Sequence, residues 1–175
     1  MFHLPKRLLM DIKLKATNTH DVEIGMSAEK REKVATMLSQ LLADQHVLYI
    51  KLRNYHWNVV GMNFKALHEL FQEQYEQLET FIDDTAERIR TLGFFTAGSM
   101  EEFAAQSRLV ETDHLDGNDK KMIENLLRDQ EAMIQILRHN VSETEELGDA
   151  GNADFLTALM EEHEKMAWML RAHLG

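Results

Sequence analysis

The sequence predicts an all-α protein: a bundle of four long helices with a long crossover, carrying one short helix, between the second and the third. Three observations lead there. Apolar residues recur at three-and-four spacing through four extended segments. No stretch of strand-like alternation competes with them. Between the second and third segments, from Phe94 to Gly117, the long periodicity is lost for too many residues to be a tight turn.

Ser27, followed by Glu29, Lys30 and Arg31, reads as an N-cap, and Val34, Met37, Leu38, Leu41, Leu42, Leu48, Leu52 and Tyr55 then repeat at helical spacing. The first helix is expected from about Ala28 to Trp57. Gly61 breaks the pattern, and Asn63 stands where a cap would open the second helix, which carries Leu67, Leu70, Phe71, Leu78, Phe81, Ile82 and Ile89 and ends near Leu92-Gly93. In the crossover, Gly98 and Ser99 precede a short amphipathic piece, Glu101 to Gln106. Asn118 or Asp119 starts a third helix, closed by the stretch from Gly148 to Asn152, and a last helix is expected from about Ala153 to Leu174. Four long helices, two short turns and one central crossover make the ferritin-like arrangement. Residues 27–175 are expected to form this bundle and residues 1–26 a basic N-terminal arm.

Composition narrows the function classes. A chain of 175 residues with 44% hydrophobic content suits one domain with a real core. The 11 methionines sit mostly at core spacing, where filling gaps between helices explains them better than metal or sulfur chemistry. There is no cysteine, no signal-like apolar run at the N-terminus and no stretch long enough to span a membrane, so a cytoplasmic protein is expected. A net charge of −11 argues against broad nucleic-acid binding by the folded body and suits one that attracts cations. The first 20 residues run the other way, with Lys6, Arg7, Lys13 and Lys15 against Asp11 alone. Two readings stand for this arm: a DNA contact, which would make the protein nucleoid-associated, or a packing extension whose Leu8, Leu9, Met10, Ile12 and Leu14 lie along a neighbouring subunit.

The most informative residues are His56, His68, Asp83 and Glu87. At 100° per residue, His68, Gln72, Asp83 and Glu87 fall at about 0°, 40°, 60° and 100° round the second helix, on one face. Yet His68 and Asp83 are separated by roughly 22 Å of helical rise, against the ~2 Å of a metal bond. One helix cannot close such a site, whereas an antiparallel copy can. The pairs His68 with Glu87 and Gln72 with Asp83 share one midpoint, between Gln77 and Leu78. A two-fold axis there brings His68 and Gln72 of one subunit to Asp83 and Glu87 of the other, twice per dimer.

The segments His56-Trp-Asn-Val-Val-Gly-Met-Asn-Phe, His68-Glu69 and Asp83-Asp84-Thr-Ala-Glu87-Arg88 resemble the signature of the Dps family, the DNA-binding proteins from starved cells. The resemblance runs from about Ser27 to the end. It implies a hollow dodecamer built from two-fold dimers, a ferroxidase that oxidises Fe(II) preferentially with hydrogen peroxide, and storage of the ferric product as a mineral, protecting cell and DNA from oxidative damage. It further implies His56 and His68 as iron ligands and catalytic residues from one subunit, with Asp83 and Glu87 from its partner and Glu87 able to bridge two irons. Imidazole and carboxylate suit Fe(II). For Trp57 the resemblance implies a nearby electron donor, and an aromatic interface anchor is the structural alternative.

One position departs from the family pattern. Four residues after the second histidine the family has an aspartate, and this chain has Gln72, a neutral and weaker ligand. The centre is then open to three readings: mononuclear at rest, selective for another metal such as zinc, or completed from elsewhere. His163 is the nominated substitute, beside its simpler reading as a core histidine. Asp113, Asp116 and Asp119 match a region whose carboxylates line three-fold pores in the family, and turn or cap roles are their alternative. A ferritin with its di-iron centre inside one bundle is disfavoured, because its two Glu-x-x-His motifs reduce here to Glu111-Thr-Asp-His114 in the crossover. Two rivals remain: a DNA-binding and compacting structural protein with weak or lost ferroxidase activity, and a generic helical interaction module, which would leave the shared midpoint as coincidence.

Overall fold

The structure, a computed structural model, describes residues 14–17, 22–112 and 115–175. Five helices follow in order: α1 (Ala28–Asn58), α2 (Phe64–Thr91), α3 (Met100–Gln106), α4 (Asp119–Leu147) and α5 (Ala150–Ala172). The described residues contain no strand, only isolated bridges pairing Ala16 with Phe94 and Val60 with Asn118. None of the helices among them is long and apolar enough to cross a membrane. α1 pairs with α2 and α4 with α5, and the two hairpins join chiefly through α1 against α4. Their shared interior is the apolar stripe expected from the periodicity: Leu38, Leu41, Leu48 and Leu52 of α1 meet Leu67, Phe71 and Leu78 of α2, Leu126, Met133 and Leu137 of α4, and Leu156, Met166 and Leu170 of α5. A fully buried leucine contributes roughly 1.5–3 kcal/mol, so these stripes, rather than helix propensity, hold the bundle.

Capping chemistry sets most of the boundaries. Ser27 accepts from Lys30 N, Ser99 and Glu102 form a capping box on α3, and Asn118 accepts from Lys121 N at 2.9 Å. Asn118 is therefore the cap of α4, and Asp119 is its first helical residue. Asn63 occupies the N-cap position of α2 but makes no side-chain capping bond. The last helix starts at Ala150, earlier than the sequence suggests. Gly148 ends α4 in the left-handed region (φ 78°), and Asp149 at once accepts from Asn152 N, leaving no loop between them.

The crossover is pinned by buried charge. Asp44 of α1 is fully buried and accepts from Ser107 Oγ (3.0 Å), Arg108 Nε (2.8 Å) and the Arg108 and Leu109 amides (2.5 and 3.3 Å). Burial pushes its carboxyl above the usual range, and the Arg108 guanidinium and these donors oppose that. Next to it, Lys51 donates to the Val110 carbonyl (2.7 Å) and pairs with the Asp129 carboxylate, tying α1, crossover and α4 together. At the other side of the fold, Gly117 lies against the α1–α2 turn. A Cβ there would sit 2.6 Å from Val60 Cγ2 and 2.9 Å from the Asn58 carbonyl, in a backbone with φ +72°, so only glycine fits.

Candidate metal centre

His56 lies in the last turn of α1 and His68 in the first turns of α2, and the short connection folds them face to face. The rings stack with centroids 3.7 Å apart and planes 22° from parallel. Each Nδ1 lies 2.8 Å from the other residue's main-chain carbonyl, His56 Nδ1 on His68 O and His68 Nδ1 on His56 O. A carbonyl oxygen only accepts, so both Nδ1 atoms carry the hydrogen and donate it. Both Nε2 atoms then present lone pairs, the form in which imidazole binds a metal. His56 is buried and His68 half-buried. The ring of Tyr75 stands edge-on to His56 at 5.3 Å, and Phe64 covers His68 at 5.1 Å.

Among the described residues no carboxylate joins them in a group that could hold an ion. Asp83 and Glu87 lie exposed farther along α2, and among the described residues no group of three or more His, Asp or Glu side chains could hold an ion. Gln72 is nearer, but its amide donates to Glu76 Oε1 at 2.7 Å. Trp57 is 63% exposed, with the Arg53 guanidinium 5.1 Å above its ring. The same guanidinium stacks on Tyr49 at 5.5 Å and Tyr75 at 5.2 Å.

The nominated substitute is not brought to this pair. His163 is wholly buried in the bundle interior, its Nδ1 2.6 Å from Gln130 Oε1 and its ring 5.9 Å from Phe81. Its place in the core excludes it from an exposed face of α2. Asp119 accepts from the following amide, Lys120 N, at 2.7 Å, Asp116 holds a left-handed turn conformation (φ 51°), and Asp113 lies outside the described residues. Lys15 is exposed with its Nζ 5.9 Å from the centre of the Phe95 ring. Lys6, Arg7 and Lys13 lie outside the described residues. Sequence reasoning missed Glu76 as the partner of Gln72, and missed the mutual histidine bonds, which depend on backbone atoms that no side-chain pattern reveals.

The helix order and the central crossover define a ferritin-like bundle, and comparison with known proteins agrees. The ferritin-like domain family matches residues 35–175. An uncharacterised low temperature-induced protein of Nostoc sp. is 46% identical over 154 residues, covering 87% of this chain and 86% of that one. DNA protection during starvation protein 2 of Bacillus anthracis is 36% identical, covering 82% of this chain and 98% of its own length. Among solved structures, a Dps protein of Vibrio cholerae O1, described as one of a broad superfamily of ferritin-like diiron-carboxylate proteins, superposes with a TM-score of 0.82 at 33% identity, covering 94% of this chain and all of that one. The chain belongs to the ferritin-like family and, within it, to the Dps proteins. Iron oxidation and storage are the functions found at the level of that family.

Proposed function

We propose that this protein is a ferroxidase and iron store whose catalytic sites form between two copies related by a two-fold axis. His56 and His68 of one copy bind Fe(II) through Nε2, and Asp83 and Glu87 of the other complete the ligand set. Hydrogen peroxide is the preferred oxidant, and the ferric product is stored as mineral inside a dodecamer built from these dimers. Removing Fe(II) and peroxide together protects the cell and its DNA. The observation that carries this reading is the mutual lock of His56 and His68, which leaves a lone pair on each Nε2 while no carboxylate among the described residues joins them in a group that could hold an ion. Two free nitrogens with no third ligand among the described residues call for a second molecule. The turn beside them also leaves Trp57, Val60, Met62 and Phe64 exposed, an apolar rim that a second copy would cover.

In this arrangement the carboxylates balance the charge of the iron, and the imidazoles are held in one tautomer so that no reorientation accompanies binding. Gln72 contributes no charge, so the position beside it binds iron more weakly than its neighbour and zinc can compete there. DNA contact falls to the basic residues of the arm, Lys6, Arg7, Lys13 and Lys15, and is secondary in an acidic protein.

The test is subunit complementation. His68→Ala and Glu87→Ala are each prepared, unfolded, mixed in equal amounts and refolded together, and Fe(II) oxidation is followed with peroxide and with oxygen. Each variant alone is expected to oxidise iron little faster than buffer. The mixture regains activity, because half the pairings are mixed and each mixed dimer holds one intact site, giving roughly one quarter of the parent rate. A mixture as inactive as its components refutes the shared site.

A further inference from the structure

The middle of the bundle is polar where a helical bundle is ordinarily apolar. Each long helix places a glutamine or histidine on its buried stripe: Gln45 between Leu41 and Leu48 of α1, Gln74 between Phe71 and Leu78 of α2, Gln130 between Leu126 and Met133 of α4, and His163 between Leu159 and Met166 of α5. All four are at most 2% exposed. Contacts join three of them. His163 meets Gln130 of α4 and Phe81 of α2, and Gln130 lies beside Gln74. On α1, Tyr49 meets Tyr75 of α2. One turn farther along these antiparallel helices Gln45 stands opposite Glu79, two residues from Phe81, so the register sets Gln45 near the level of Phe81 and His163.

The hydrogen bonds in this layer run in one direction. His163 Nδ1 donates to the Gln130 amide oxygen at 2.6 Å. Gln130 Nε2 faces Gln74 Oε1 at 3.5 Å and Met166 Sδ at 3.4 Å, and Gln74 Nε2 donates to the Met166 carbonyl at 3.3 Å. With its hydrogen on Nδ1, His163 carries a lone pair at Nε2, which has no partner among the described residues although wholly buried. Both amide atoms of Gln45 are buried and unpartnered as well. Each such atom left dry costs about 1–3 kcal/mol.

We infer that this layer is an internal water site: a water molecule donates a hydrogen bond to His163 Nε2 and is held from the α1 side by the Gln45 amide. The occupant must donate to the histidine, and Gln45, with an unused donor and an unused acceptor, needs a molecule that does both. A metal ion or an ammonium group fits the lone pair but not the surroundings, because the layer is made of an imidazole and three amides with no carboxylate to neutralise a buried cation. Water satisfies the set without charge, and buried waters commonly take about three such bonds. The layer also fixes register, since a slip of any one helix by a turn would set an amide or imidazole against leucine.

The first measurement is a crystal structure of the full chain at a resolution that shows ordered water. Density is expected within hydrogen-bonding distance of both His163 Nε2 and the Gln45 amide, with no anomalous signal. The second is thermal unfolding of Gln45→Leu, His163→Phe and the double variant. Each single change strands the water and the remaining polar group, lowering Tm by about 3 °C or more, and the double variant loses less than the sum. Dry density, a direct Gln45–His163 bond or a metal peak overturns the inference. So does a rise in Tm in both single variants, the behaviour of orphaned groups that were never hydrated.

Discussion

Acidifying the solution from pH 7 to pH 5 should weaken the fold by about 2 kcal/mol through His163 alone. Burial lowers its imidazole from the ordinary 6.5 to about 4, because a cation in the bundle interior has lost its water. At pH 7 the residue is largely neutral both folded and unfolded, so its ionisation contributes almost nothing to the balance. As pH falls through 6.5 the unfolded chain takes up a proton that the folded chain refuses, and each further unit costs about 1.4 kcal/mol. The loss reaches about 2 kcal/mol at pH 5 and levels off near 3 kcal/mol below pH 4, where the folded form protonates too. A water donating to Nε2 acts in the same sense, since it favours the neutral ring. The assay is urea unfolding followed by circular dichroism at pH 7, 6 and 5, at one protein concentration, for the parent and for His163→Phe. Other groups titrate in both proteins, so the difference between the two isolates this residue. The parent's advantage, whatever its size at pH 7, should shrink by about 2 kcal/mol at pH 5. Parallel stability curves would refute the assignment of a buried, proton-refusing imidazole.

Three further outcomes are expected. Replacing Asp44 by Ala removes the acceptor of the Arg108 amide and guanidinium and one of the partners of the Ser107 hydroxyl and the Leu109 amide, and should cost about 3–5 kcal/mol in urea unfolding; a loss below 1 kcal/mol would mean the crossover is held by its apolar contacts. Gly93→Ala places a Cβ 2.8 Å from Val22 Cγ2 in a backbone with φ +92°, and should lose about 1–3 kcal/mol by the same assay, whereas an unchanged midpoint would show that Val22 moves aside freely. Gln72→Asp restores a carboxylate to the face of α2, so calorimetric titration should show tighter binding at a second metal position, and unchanged stoichiometry and affinity would remove the idea that Gln72 weakens the site.

The helices were readable because their burial pattern is carried by side chains at fixed spacing. Leu38, Leu41, Leu48 and Leu52 announce α1 without knowledge of what they touch. His56 and His68 stand out for their residue type, His68 also for the helix face it shares with Asp83 and Glu87. The buried charges do not, although a signal for them exists. Asp44 and Lys51 fall on the same stripe as Leu41, Leu48 and Tyr55, three and four residues apart, so a strict reading of the period puts both in the core, where an unpaired charge is forbidden and a partner from another segment is required. Those partners, Arg108 and Asp129, are 64 and 78 residues away, a separation local spacing cannot bridge. Gln45, Gln74, Gln130 and His163 form a comparable set, each lying on its own helix's stripe. The start of α5 was obscured for a different reason. Two glycines, Gly148 and Gly151, flank Asp149 and suggest a loop, but only the first has a backbone that requires glycine.

The way the two histidines are held bears on which variants probe the proposed site. A metal-binding imidazole is commonly oriented by an acceptor on its other nitrogen, often a carboxylate. Here that acceptor is a main-chain carbonyl of the opposite histidine residue, so each residue orients the other and no acidic side chain is spent on either. The same bonds fix the α1–α2 turn, which makes the pair a structural fastening as well as a candidate ligand set. Removing either ring should therefore loosen the turn in addition to removing a nitrogen, while Asp83 and Glu87, exposed on α2, can be replaced with little effect on the fold. The carboxylate variants are accordingly the cleaner probes of iron chemistry: loss of oxidation in Asp83→Ala and Glu87→Ala with unfolding midpoints unchanged assigns the loss to the site, and activity retained in both would place the chemistry away from this face of α2.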